Sequence, residues 1–245
     1  MFYTDNGVPI EEDKEWDGVN ILELKVAEKE DNLYVREGYT TIQLHFDREP
    51  RFYANLGFDG GVWYGQGKYD DSKPGDLFYV ACRRNGTQGK RGPEFGPFTG
   101  YYWKKCVHFQ NVQSSENGYD IEYYPWPIIR LADLYLLYAE AINEAEGPNG
   151  ENQAELFKYI DLVRERAGLE GVKYSWDNHT NNKKYENQQG MREIIHRERL
   201  IELALEGQRF WDIRRWKEIE IYNTDPQGWN IMGETPEDFY TVLPL

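Results

Sequence analysis

At 245 residues the chain is long enough for one large domain or two small ones, with a core that needs neither metals nor disulfides to hold it. Its net charge of −15, from 43 acidic and 28 basic residues, excludes a nucleic-acid backbone as partner and disfavours an anionic lipid surface, so neutral ligands fit it better. Aromatic residues make up 16% of the chain (19 Tyr, 11 Phe and 8 Trp), more than a core of this size ordinarily uses, and the surplus is available as contact surface.

The first fifteen residues lack the basic and then apolar pattern of a leader, and no stretch reaches the roughly 18 to 20 consecutive apolar residues of a membrane span; the chain as it stands is expected to be soluble. Over residues 1–125, Gly, Asn, Asp and aromatics dominate. Strand-like runs such as residues 41–46 are separated by turn signals such as Phe58-Asp59-Gly60-Gly61, so this region reads as irregular and loop-rich with short strands. Asp70-Asp71-Ser72 reads as turn chemistry in preference to a calcium loop. Cys82 and Cys106 allow one disulfide in an oxidising compartment or two free thiols, and no cysteine metal knuckle. Residues 85–100 hold five glycines and two prolines and suit an exposed loop.

From residue 126 to 245 the period becomes helical. Leu131, Leu134, Tyr135, Tyr138, Ala141, Ile142 and Ala145 recur at three- and four-residue steps, with Pro127 near the start and Gly147-Pro148 as the stop. Asn152 and Glu155 stand in capping-box spacing ahead of a second helix bearing Leu156, Tyr159, Ile160, Val163 and Ala167, and the two are expected to form an antiparallel hairpin. A loose polar insert over residues 174–189 precedes a third helix with Ile194, Ile195, Leu200, Leu203 and Ala204. After Gly207, Phe210, Trp211, Ile213, Arg214 and Trp216 continue as a fourth. The expected fold is mixed and mainly α, with tetratricopeptide-like helical hairpins packed against the loop-rich region, although no clean 34-residue repeat is visible.

Three segments resemble the SusD/RagB family: Arg48-Glu49-Pro50-Arg51-Phe52-Tyr53-Ala54, then residues 127–141 beginning Pro127-Ile128-Ile129-Arg130-Leu131, and the block holding Val163-Arg164-Glu165-Arg166-Ala167-Gly168-Leu169 and residues 198–216. The run over residues 198–216 is the most specific, and Asp5-Asn6-Gly7-Val8-Pro9-Ile10 resembles a further family element. The resemblance covers nearly the whole chain but corresponds to the C-terminal part of a typical member, without its helical N-terminal portion or lipidated cysteine. It implies a carbohydrate-binding protein of polysaccharide utilisation, lipid-anchored in the full-length parent on the outer face of the outer membrane. Such a protein serves nutrient uptake by passing its ligand to a SusC-like TonB-dependent transporter.

No sequence motif of hydrolytic, nucleotide-binding or metal-dependent catalysis is present, and the four histidines, His45, His108, His179 and His196, lack ligand spacing, so neither catalysis, metal nor cofactor is expected. The charged block of Glu198, Glu202 and Glu206 with Arg199, Arg209, Arg214 and Arg215 reads as helix-surface and inter-helix pairing. The candidate ligand-binding residues are loop aromatics of the first region: Trp63 and Tyr64 between glycines, and Tyr101, Tyr102 and Trp103 after the glycine-rich stretch, with Arg83 as a hydrogen-bond donor. A ring held on a loop offers its face to the apolar C–H side of a sugar. The expected function is non-enzymatic capture of an oligosaccharide. The alternatives are a peptide-binding member of the same family and a protein-binding helical scaffold.

Overall fold

The helical period read beyond residue 126 is realised in a computed structural model that describes residues 1–90, 96–115 and 118–245. Residues 91–95 of the glycine-rich stretch therefore lie outside the described residues. The chain divides into two compact units. One is Met1–Val19, Asp47–Phe52 and Trp126–Glu218; the other is Asn20–Phe46, Tyr53–Pro125 and Ile219–Leu245. Division by composition into 1–125 and 126–245 follows a change in sequence character, whereas compactness assigns the N-terminal residues to the helices and the C-terminal residues to the loops.

In the first unit, helix α1 (Pro50–Asn55) begins, and α2 (Leu131–Glu146) packs on α3 (Gln153–Arg166) as a hairpin and on α5 (Gln188–Glu202). Gly147 ends α2 at φ 74°, where its N–H reaches the Asn143 carbonyl, a backbone geometry that favours glycine. The buried face of α2 is Leu136, Ala139, Glu140, Ile142 and Asn143, whereas Leu131, Leu134, Tyr138, Ala141 and Ala145 are exposed. The apolar stripe expected to face the core is thus largely outside it. The buried side carries Glu140 and Asn143: Glu140 meets Arg215 and the Trp216 indole N–H, and Asn143 donates to the Gln188 carbonyl, while its own side-chain oxygen has no partner among the described residues.

The expected capping box of α3 is absent, because Asn152 donates to Glu146 and makes no side-chain bond to its own helix. The stretch read as a loose polar insert holds most of α4 (Val172–His179), which begins two residues before it, and a short 3-10 turn, Lys184–Glu186. Val172, Ser175 and Trp176 face inward at helical spacing. The Asp161 carboxylate accepts the Val172 N–H at 2.7 Å, satisfying a donor at the helix start. Trp176 is fully buried and donates its indole N–H to Glu12 at 2.9 Å, one tie that draws the N-terminal segment into this unit.

Helix α6 (Gln208–Trp216) completes the set. Of the charged block, Glu198, Glu202 and Arg199 are buried and make inter-helix pairs, whereas Arg214 and Arg215 are exposed. Arg51 bonds Glu49 and Glu198 at 2.6 Å and Glu202 at 3.2 Å, and the fully buried Arg164 reaches Glu198 at 3.2 Å. Arg130 and Arg166 close on Glu202 at 2.8 and 2.7 Å, and Arg199 joins Asp133 to Asp212. Burial pushes the Glu202 carboxyl up, but Arg130, Arg166 and Arg51 more than reverse this and hold it below its ordinary range. Arg209 and Arg214 lie outside this network. Arg209 stands 3.8 Å from Glu218, and Arg214 sits over the Phe210 ring.

The second unit is built of two-stranded antiparallel ribbons: β1 (Leu24–Val26) with β2 (Thr40–Ile42), β3 (Leu56–Gly57) with β6 (Tyr102–Trp103), β4 (Val62–Trp63) with β5 (Phe78–Tyr79), β7 (Val112–Gln113) with β8 (Tyr119–Asp120), and β9 (Gln227–Trp229) with β10 (Val242–Pro244). The run read as a strand over residues 41–46 turns into a 3-10 helix at Gln43–His45, which carries His45 inside. The core gathers Ile42, Val80, Cys82, Trp229, Phe239 and Tyr240, with Phe239 supplied by the short helix α7 (Pro236–Phe239). Cys82 is buried and Cys106 exposed, both as free thiols. The Asp70 carboxylate accepts from the Ser72 N–H and hydroxyl, closing a turn.

Candidate aromatic ligand site

The ribbons β3–β6 and β4–β5 meet at Gly57. A Cβ there would lie 2.7 Å from Cζ3 of Trp63 and 3.3 Å from Cβ of Tyr102, so only glycine lets the indole settle across the strand. A Cβ at Gly65 would stand 3.4 Å from the same ring. Trp63, expected to stand free between glycines, is instead half-buried against the core of the second unit, with Phe78 opposite it across the ribbon. Tyr64 is half-buried beside it and donates to the Leu33 carbonyl at 3.4 Å; burial raises its hydroxyl above the ordinary tyrosine range.

Tyr102 pairs across from Gly57 and donates its hydroxyl to the Gln88 carbonyl at 2.5 Å, while Trp103, opposite Leu56, is 53% exposed. Four of the six candidates therefore gather at the two ribbons. Around them, Tyr34 is exposed and stacks on Tyr53 at 4.1 Å, and Phe78 is exposed beneath the Lys68 ammonium. Sequence reading passed over Tyr34 and Phe78 because neither stands beside glycines; strand register alone places Phe78 opposite Trp63.

Lys104 was also missed, although it directly follows Trp103. Its ammonium donates to the carbonyls of Tyr53 and Val62, each at 2.9 Å, and lies 5.9 Å from the ring centroids of both Trp63 and Tyr64. Burial lowers its pKa from the ordinary lysine value to about 8.

The other two candidates belong to a polar network inside the unit. Arg83 donates to the fully buried Asp59 at 2.9 Å and to the Thr40 carbonyl, and its guanidinium covers the Tyr39 ring at 4.7 Å. Asp59 also accepts from the Tyr39 hydroxyl and the Cys82 N–H; burial raises its carboxyl despite Arg83. Tyr101 meets Nε2 of His45 at 3.0 Å, Nδ1 of His45 meets the Thr41 hydroxyl at 2.7 Å, and Thr41 meets the Tyr240 hydroxyl at 2.6 Å. These bonds tie Arg83 and Tyr101 to buried partners of the same unit.

Helical hairpins in one unit and short antiparallel ribbons in aromatic-rich loops in the other are an architecture shared with solved structures of one protein family. The chain belongs to the SusD family, whose family model matches residues 1–242. It is 44% identical over 89 residues to the SusD-like protein P25 of Formosa agariphila, an overlap of 36% of this chain and 15% of that protein. Two solved structures from Bacteroides fragilis share the fold. One is a SusD-like protein with a TM-score of 0.59 and 24% identity; the other is a SusD-like carbohydrate-binding protein with a TM-score of 0.50 and 21% identity. Each alignment covers 93% of this chain and 36% of the solved one, so the chain spans about a third of their length. Among the described residues no helix is long and apolar enough to cross a membrane.

Proposed function

We propose that this chain contributes to non-enzymatic capture of an oligosaccharide nutrient at the bacterial cell surface, for delivery to a SusC-like TonB-dependent outer-membrane transporter. The observation that carries the reading is the gathering of Trp63, Tyr64, Tyr102 and Trp103 on two ribbons locked together at Gly57, with Trp103 half open to water. Rigid rings with polar tips supply contact area at low entropic cost, and a pyranose presents an apolar C–H face to stack on them. Membership of the SusD family and the fold shared with a protein described as carbohydrate-binding support the same reading.

The test is calorimetry of this chain and of Trp63→Ala and Trp103→Ala variants against plant, host and microbial oligosaccharides. The expected result is a binding signal that either variant weakens, with oligosaccharide length unchanged after prolonged incubation. Shortened products would replace capture with hydrolysis. Binding of an oligopeptide panel without any glycan signal would move the chain to the peptide-binding branch.

A further inference from the structure

We propose that the oligosaccharide held at this cluster is acidic, and that Lys104 receives its charged group, a uronate carboxylate or a sulfate ester. The inference rests on the glycan reading above and deepens it.

An ammonium carries three N–H donors, and two of those of Lys104 are committed to the Tyr53 and Val62 carbonyls. Among the described residues no carboxylate lies within salt-bridge distance of it, in a chain with 43 acidic side chains to choose from. The contrast with the rest of the molecule is direct. The buried Arg51, Arg164 and Arg199 each face carboxylates, and Arg83, in the same unit as Lys104, faces Asp59. A half-buried cation without a counter-charge carries a desolvation cost, and a neutral amide could bridge two carbonyls at less expense.

What the ammonium adds is attraction for an anion, and it lies 5.9 Å from the ring centroids of both Trp63 and Tyr64. A pyranose stacked there would bring an acidic substituent to the remaining N–H. The desolvated amine, with its pKa near 8, gains most from such a partner, because an arriving anion restores the charged form. The net charge of −15, which favours neutral ligands at long range, opposes this weakly. At physiological ionic strength the field of distant charges is screened over about 8 Å, and a direct contact is decided locally.

The experiment compares matched pairs by calorimetry at pH 8 in two buffers of different ionisation enthalpy. The first pair is tetragalacturonate and its carboxyl-reduced, neutral form; the second is a sulfated carrageenan tetrasaccharide and its desulfated form. The acidic member of one pair is expected to bind about tenfold or more tightly than its neutral partner, with net proton uptake. The pair that responds identifies the anion. Lys104→Met should lose both the preference and the uptake. Lys104→Arg should keep the preference but lose the uptake, and it keeps the assay decisive where the Met variant does not fold. Equal affinity within both pairs, or silence of all four ligands beside a signal from a neutral glycan of the wider panel, overturns the proposal and leaves glycan capture standing; silence of the whole panel with a folded chain overturns both.

Discussion

Replacing Glu198 with glutamine tests whether the ion network of the first unit is a structural element. Glu198 is fully buried and accepts from Arg51 at 2.6 Å and from Arg164 at 3.2 Å. Loss of its charge affects the two arginines unequally. Arg51 retains Glu49 and Glu202, whereas Arg164, itself fully buried, keeps the Glu170 and Gly7 carbonyls and the Ser175 hydroxyl, all neutral. Removing one member of a buried pair costs about 3 to 5 kcal/mol; because Arg164 keeps these neutral acceptors, the lower end, about 3 kcal/mol, is expected. For a chain of this size that is a fall of roughly 6 to 12 °C in melting temperature. The assay is urea and thermal denaturation followed by near-UV circular dichroism, with exposed Glu165→Gln as the control, expected within about 0.5 kcal/mol of the parent. A Glu198→Leu, Arg164→Met double variant should lose less than the sum of its single changes, since no unpaired charge remains. A Glu198→Gln chain within 1 kcal/mol of the parent would refute the argument.

Three further outcomes follow from the second unit. Arg83→Met leaves the buried Asp59 without its cation and should cost about 3 kcal/mol in denaturation while leaving glycan affinity intact; reduced affinity at unchanged stability would return Arg83 to the ligand site. Gly57→Ala drives a methyl into the Trp63 ring, so a cost of about 1 to 3 kcal/mol and a shifted tryptophan emission are expected, together with weakened glycan binding; unchanged emission would show that the ribbons do not meet as described. The Lys104 amine, depressed from 10.5 to about 8, makes the folded chain bind its proton less tightly than the unfolded one. Stability should therefore rise with pH from about 8 to about 10.5 by at most about 3 kcal/mol relative to Lys104→Met, with the penalty constant below pH 8, as checked by urea titrations at stepped pH. A flat difference would remove the depressed amine.

The helices were legible because their apolar periods and glycine stops are local. Gly147 and Gly168 end α2 and α3 as read, both at positive φ. The buried side of α2 was not, because Leu131, Leu134 and Tyr138 outrank Leu136, Ala139 and Glu140 in hydrophobicity, yet Glu140 is the residue that Arg215 and Trp216 require inside. Helix α4 hid behind Lys, Asp and Asn on its outer face. At the candidate site, aromatic type and adjacent glycines pointed to Trp63, Tyr64, Tyr102 and Trp103, but nothing local distinguishes Tyr101, whose partner His45 is 56 residues away, or Arg83, whose partner Asp59 is 24 residues away. Long-range polar pairing is invisible to periodicity, and that is why Lys104, defined by what it lacks, was also passed over.

The chain passes between its two units at 19/20, 46/47, 52/53, 125/126 and 218/219. During synthesis, then, neither unit can mature as an early, self-sufficient piece. The ribbons formed by residues 53–125 must wait for Trp229, Phe239 and Tyr240 to leave the ribosome before their core can close. Until then their surplus of aromatic rings is open to solvent and to one another, which makes residues 219–245 a checkpoint on every nascent copy.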